Sequence, residues 1–225
     1  MNPGTVEPYS IHAGILDIRF RVYAGHLSLA QELKRNGEKE HLSLCLNQGD
    51  YTKAAYFLKT DERIRVLLIS LEQPGSAAKE GISEAIAYAA LESPRLADVI
   101  ASVHKVAFEK GGILRAGVYE LREDEAPGEV PGLFHAVTAG LPPPLLIRGG
   151  EFTFPLRSGI PAGIVSEWVS QTQSMEWHAG DALYLYTDSA EVEASHDFHE
   201  YLRAHKGGSL QIPEDMIVFR IEFGS

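Results

Sequence analysis

The sequence predicts an α+β layered domain, and three observations carry that prediction. Short apolar or alternating runs bounded by Gly, Asp and Asn occupy the early part of the chain and everything after Ile113. Between them lie two stretches of helical apolar spacing, Ser76 to Leu91 and Ser93 to Gly111. Strands, then two long helices, then more strands lack the regular alternation of a doubly wound sheet.

Residues 1–12 are expected to be a flexible tail and 13–225 a single domain. Ile15 to Tyr23 alternates apolar with polar and predicts a half-exposed strand. His26 to Lys34 carries Leu27, Leu29, Ala30 and Leu33 at near-helical spacing and predicts a short helix ended by Asn36-Gly37. Three strands follow, at His41–Leu46, Lys53–Leu58 and Arg63–Leu71, with Lys59-Thr-Asp-Glu62 as a hairpin loop. The third is nearly all apolar from Ile64 to Ile69, which predicts a central position. Ser76, ahead of Glu80, opens the first long helix in the manner of a capping box. Pro94 suits the first turn of the second, whose stripe is Leu96, Val99, Ile100, Val103 and Ala107; Gly111-Gly112 stops it. Later strands are predicted at Leu114–Leu121, Leu133–Thr138, Pro144–Arg148, Glu151–Phe154, Thr172–Trp177, Ala182–Tyr186 and Met216–Phe223. The acidic stretch from Arg122 to Glu129 reads as a solvated loop, Gly149-Gly150 as a hairpin turn, and His196 to His205 as a late helix.

Composition narrows the partners. A net charge of −11 argues against nucleic acid, which needs clustered Lys and Arg. No apolar run approaches the ~20 residues that span a bilayer, and the N-terminus does not read as a signal peptide. A single cysteine, Cys45, excludes an internal disulfide and fits a reducing cytoplasm; its place in Leu42-Ser-Leu-Cys-Leu46 reads as a strand position. The nine histidines form no zinc-like cluster; the closest pair, His196 and His199, reads as an exposed helix face. Trp168 and Trp177 read as core or rim residues.

The stretch Ala179 to Ala194 draws attention. A Gly180-Asp181 turn leads into an apolar strand that stops at Thr187-Asp188-Ser189. A carboxylate at the end of a buried strand is costly to desolvate unless paired or bound to metal. Asp188 is therefore either a turn former or one arm of a metal site. Asp50, after Gly49, and the Glu214-Asp215 pair before the last strand are two further strand-end acids. Carboxylates drawn together from distant points suit hard divalent cations.

Several segments, in order, resemble the metal-dependent type 2C Ser/Thr protein phosphatases, in the branch typified by stage II sporulation protein E. Gly49-Asp50-Tyr51 is similar to its Gly-Gly-Asp-Tyr motif, and Ala139-Gly-Leu-Pro-Pro-Pro144 to its Ala-Gly-His-Pro-Pro-Pro segment. Gly159-Ile-Pro-Ala-Gly163 is similar to its Gly-x-Pro-x-Gly turn, Tyr186-Thr-Asp-Ser189 to its Tyr-Thr-Asp-Gly motif, and Glu214-Asp-Met-Ile217 to its Asp-Asp/Asn-x-Thr. Val66 to Ala78 lies where the family has an apolar strand, Asp-x-x-Gly-His-Gly, and the start of a helix.

The resemblance implies a four-layer α-β-β-α sandwich of two antiparallel sheets flanked by helices. It implies two Mn²⁺ or Mg²⁺ ions that activate water for hydrolysis of phosphoserine or phosphothreonine, with Asp50, Asp188 and Glu214 as ligands. The family's bridging Asp is replaced by Ser70, a neutral hydroxyl, and its Gly-His by Gln73-Pro74. Glu72, two residues on, would point the same way along a strand and is a candidate substitute ligand. The implied partner is a phosphorylated regulatory protein of the anti-sigma-factor antagonist type, with a homodimer as a further expectation. Two functions follow: an impaired metal-dependent phosphatase, or a pseudophosphatase that binds without turnover.

Overall fold

The structure is a computed structural model that describes residues 9–13, 18–24, 30–36, 39–48, 51–60, 63–72, 91–109, 111–122, 132–169, 171–189, 192, 198–204, 212–213 and 215–224. Thirteen strands form two sheets among these residues. One sheet has the order β1 (Tyr9–Ala13), β2 (Ile18–Ala24), β13 (Ile217–Phe223), β12 (Ala182–Tyr186), β9 (Leu145–Arg148), β10 (Glu151–Thr153). The other runs β11 (Gln173–Trp177), β8 (Gly132–Ala139), β7 (Leu114–Arg122), β6 (Arg63–Glu72), β5 (Tyr51–Lys59), β4 (Lys39–Gln48), β3 (Ala30–Asn36). Neighbouring strands pair antiparallel in both.

Strand alternation builds the layers. Along β6, Ile64, Val66 and Leu68 enter the core between the sheets, while Leu67, Ile69 and Leu71 face the opposite side. That outer side is covered by α1 (Leu96–Glu109), whose predicted stripe of Leu96, Val99, Ile100, Val103 and Ala107 is buried. The other sheet's outer face, with Tyr184, Tyr186 and Val218, packs under α2 (Phe198–Ala204) through Phe198 and Tyr201. The layers are therefore helix, sheet, sheet, helix, as the fold class required. Full burial of side chains such as Phe57 and Phe219 contributes roughly 1.5–3 kcal/mol each.

Helix α1 ends as its glycines predict. Gly111 takes a φ of 66°, and the N–H groups of Gly111 and Gly112 donate to Phe108 O and Ala107 O, at 3.2 and 2.9 Å. This is a Schellman closure, and the αL residue is the one that needs no Cβ. The β9–β10 turn likewise rests on Gly149 and Gly150, both at positive φ, between the paired Arg148 and Glu151.

Two expectations are corrected. The segment expected as a helix over His26–Lys34 instead supplies β3, Ala30–Asn36, paired with β4 so that Leu33 meets Leu42. Its local spacing permitted a helix, but the backbone groups on the outer edge of β4 demanded a strand partner. The expected tail, 1–12, also holds structure: Tyr9–Ala13 pairs with β2 along the first sheet's edge. The helix expected from Ser76 to Leu91 and the loop after Arg122 lie outside the described residues, apart from Leu91. Among the described residues, no helix is long and apolar enough to cross a membrane.

Candidate functional site

The face of the seven-stranded sheet that looks into the sandwich ends in a polar row. Ala55 and Phe57 of β5, Val66 and Leu68 of β6, and Tyr119 and Leu121 of β7 all lie in the core between the sheets. Lys53, Ser70 and Arg115 are in phase with them and so share that face. Register completes the row, because Lys53 pairs with Ser70 and Ser70 with Arg115. Ser70 thus lies between two basic side chains.

The first sheet brings its carboxylates to this row. Beyond β12, Thr187 extends the ladder to β13: its N–H donates to Ile217 O, and its Oγ1 accepts from Ile217 N–H, both at 3.0 Å. That pairing fixes Asp188, the next residue. Arg115 Nη1 donates to Asp188 Oδ2 at 2.7 Å. Lys53 Nζ donates to the main-chain oxygen of Asp188 at 2.5 Å and to Asp215 Oδ2 at 3.1 Å. Asp215 Oδ1 accepts from Ser189 Oγ at 2.7 Å. Lys53 is 2% exposed, Ser70 0% and Asp188 7%, whereas Arg115 and Asp215 keep 26% and 32% of their side chains exposed, so the cluster is buried on one side and meets water on the other. Among the described residues, two buried oxygens in the cluster have no partner: Ser70 Oγ and Asp188 Oδ1.

Of the residues singled out in the sequence, Ser70 lies in register between Lys53 and Arg115, both of which bond Asp188. Asp50 and Glu214 lie outside the described residues; Glu72 ends β6 opposite Tyr51, and its side chain is likewise outside them. Sequence reasoning missed Lys53, Arg115 and the part taken by Asp215. A signal existed: Lys53 and Arg115 are lone charges at the ends of otherwise apolar stretches. Their placement on either side of Ser70 depends on strand register, which one strand's sequence does not encode.

A pair of divalent cations does not fit the residues described here. The outer oxygen of Asp188 is held by a guanidinium, and an ammonium sits between Asp188 O and Asp215. The bridging position offers only a neutral hydroxyl. Among the described residues no group of three or more His, Cys, Asp or Glu side chains could hold a metal ion. A dication ~4 Å from a fixed monocation meets a repulsion of order several kcal/mol, even at an effective dielectric constant near 20.

The remaining motifs shape the scaffold. Gly159 N-terminal to Pro161 lies against β8, where an added Cβ would stand 2.3 Å from Thr138 O. Ala162 bridges to Leu114 through a reciprocal pair of hydrogen bonds, 2.8 and 3.0 Å. Asp181 is a structural turn residue: it accepts His178 N–H at 2.8 Å and is gripped by Arg148 Nε and Nη2. That hydrogen bonding raises the Arg148 guanidinium above its ordinary value. Trp168 stacks on His104 and Trp177 on Phe223, so both tryptophans serve packing, as expected. Of the closest histidine pair, His199 stacks on Phe152 and His196 lies outside the described residues. A cleft of about 830 Å³ beside the Gly159–Gly163 loop is lined by Arg157, Ile160 and Trp168, and by none of the polar row.

Comparison with known proteins agrees with this architecture. The family model of stage II sporulation protein E (SpoIIE) matches residues 127–207. The phosphatase domain of SpoIIE from Bacillus subtilis, solved with a fragment of its regulatory domain, superposes with a TM-score of 0.56 at 12% identity, covering 100% of this chain and 84% of that one. The RsbU and RsbW domains of Rv1364c from Mycobacterium tuberculosis give 0.53 at 16% identity, covering 98% of this chain and 63% of that one. RsbX, solved in complex with magnesium, gives 0.51 at 15% identity, covering 85% and 98%. No curated protein matches the chain by sequence. The facing antiparallel sheets with their outer helices are the fold of the type 2C protein phosphatases. The family-model match, confined to residues 127–207, is a similarity to the SpoIIE branch of that fold.

Proposed function

We propose that this chain is a phosphatase-fold regulator that binds a phosphorylated regulatory protein of the anti-sigma-factor antagonist type without hydrolysing it. One observation supports the loss of turnover above all. Lys53 and Arg115 flank Ser70 and already engage Asp188, one of the expected metal ligands, and Asp215, the neighbour of another. Metal-assisted hydrolysis needs cations that lower the pKa of a bound water and neutralise the phosphoryl group. Buried side-chain cations neutralise charge but do not generate hydroxide. The partner class is supported by the company of the fold, since its relatives include SpoIIE, RsbX and paired RsbU and RsbW domains.

A second reading, a weakened phosphatase dependent on Mn²⁺ or Mg²⁺, is favoured by a single atom. Asp188 Oδ1 is buried without a partner, the state of an oxygen awaiting a cation. One assay separates the two. A phosphoserine-bearing antagonist-type domain is mixed with the protein and Mn²⁺, and both complex formation and free phosphate are followed. Binding with no phosphate release above buffer supports the regulator; metal-dependent release establishes the weakened enzyme.

A further inference from the structure

We infer that Lys53 and Arg115 are resident counter-cations, which close the former metal centre with the protein's own charges and exclude divalent metal from it. The inference deepens the reading above and rests on the same site, but it does not depend on what the partner is.

The geometry points to replacement and not to simple loss. A centre that had only lost its bridging carboxylate would leave Asp188 and Asp215 as two buried or half-buried acids facing each other across an empty space. Their repulsion would favour protonation or a bound cation. In this chain each acid has its own base. Arg115 takes Asp188 at 2.7 Å, and Lys53 takes Asp215 at 3.1 Å while also holding the main chain of Asp188 at 2.5 Å. These four described side chains carry two positive and two negative charges and balance one another without metal.

Position reinforces charge. The two bases come from β5 and β7, one strand to either side of Ser70, and reach across the sandwich to acids beyond β12 and before β13. They tie the ends of the two sheets together, the same mechanical task that bridging metals perform between ligands from separate strands. Lys53 at 2% exposed has no route to solvate its ammonium elsewhere. Ser70 then follows from the bases. A carboxylate at that position would compete with Asp188 and Asp215 for the same two cations, whereas a hydroxyl leaves them free to cross the gap.

The test uses the full chain and thermal unfolding in EDTA against Mn²⁺. The unaltered protein should show the same Tm in both, within about 1 °C. Ser70→Asp alone should also stay indifferent to Mn²⁺, because both bases remain. Ser70→Asp combined with Lys53→Ala and Arg115→Ala should gain a Mn²⁺-dependent rise of about 5 °C or more, the signature of a cation bound only by the folded state. A Mn²⁺-dependent rise in the unaltered chain or in Ser70→Asp alone would overturn the inference, as would a folded triple variant with no response. If the triple variant does not fold, the first two measurements still decide. Phosphate release with no metal-dependent Tm shift would defeat the proposed function and leave this inference standing; a Tm shift with no release would do the reverse.

Discussion

Arg65 and Glu120 face each other across β6 and β7, as do Ser70 and Arg115 further along the same two strands. Alternation sends the first pair to the helix side of the sheet and the second to the sandwich interior. On the helix side every polar atom is used. Arg65 donates to Glu120 and to the main-chain oxygens of Leu91, Ser93 and Pro94, while Glu120 also accepts from Arg122 at 2.7 Å. Burial pulls the Arg65 guanidinium below its ordinary value, and Glu120 opposes the shift. The interior cluster is built less completely, with Ser70 Oγ and Asp188 Oδ1 left unpartnered. An orphaned buried atom has a cost, and the Arg65–Glu120 pair avoids it. The two orphans in the second cluster leave it with unused hydrogen-bonding capacity that the first lacks.

That contrast predicts a graded set of stability effects. Arg65→Met should be the most damaging, because it leaves the fully buried Glu120 carboxylate with Arg122 alone and one oxygen unpaired; we expect a loss of about 3–5 kcal/mol in urea unfolding. Arg65→Met with Glu120→Leu should recover most of that loss, since an apolar pair of similar volume replaces a satisfied ionic one. If the double variant is as unstable as the single one, the carbonyls of Leu91, Ser93 and Pro94 are the true dependents of Arg65. Arg115→Met should cost less, about 1–2 kcal/mol, because Arg115 is 26% exposed and its ion pair is partly screened by water. Ser70→Ala should be the mildest: removing an unpartnered buried hydroxyl leaves stability unchanged or raises it by up to about 1 kcal/mol. A loss above ~2 kcal/mol for Ser70→Ala would mean that the hydroxyl has a bound partner, and the contrast between the clusters would fail.

Much of the fold was readable along the chain. The apolar run of β6, the stripe of α1, the Gly111-Gly112 stop and the Gly149-Gly150 hairpin each have a local physical cause, and each lies where that cause puts it. β3 was not readable, because its strand state is imposed by the neighbouring β4 and not by its own residues. The site divides the same way. Asp188 and Ser70 stand in strand-end motifs and were singled out in the sequence. Lys53 and Arg115 acquire their meaning only from register, which sets them on either side of Ser70, and from the facing sheet, which supplies their acids.

Anomalous scattering from crystals grown with Mn²⁺ tests the central claim most directly. No manganese peak is expected beside Asp188, with Arg115 still on its carboxylate and Lys53 still between Asp188 and Asp215. Two manganese peaks about 3.5–4 Å apart, with both bases swung away, would contradict it.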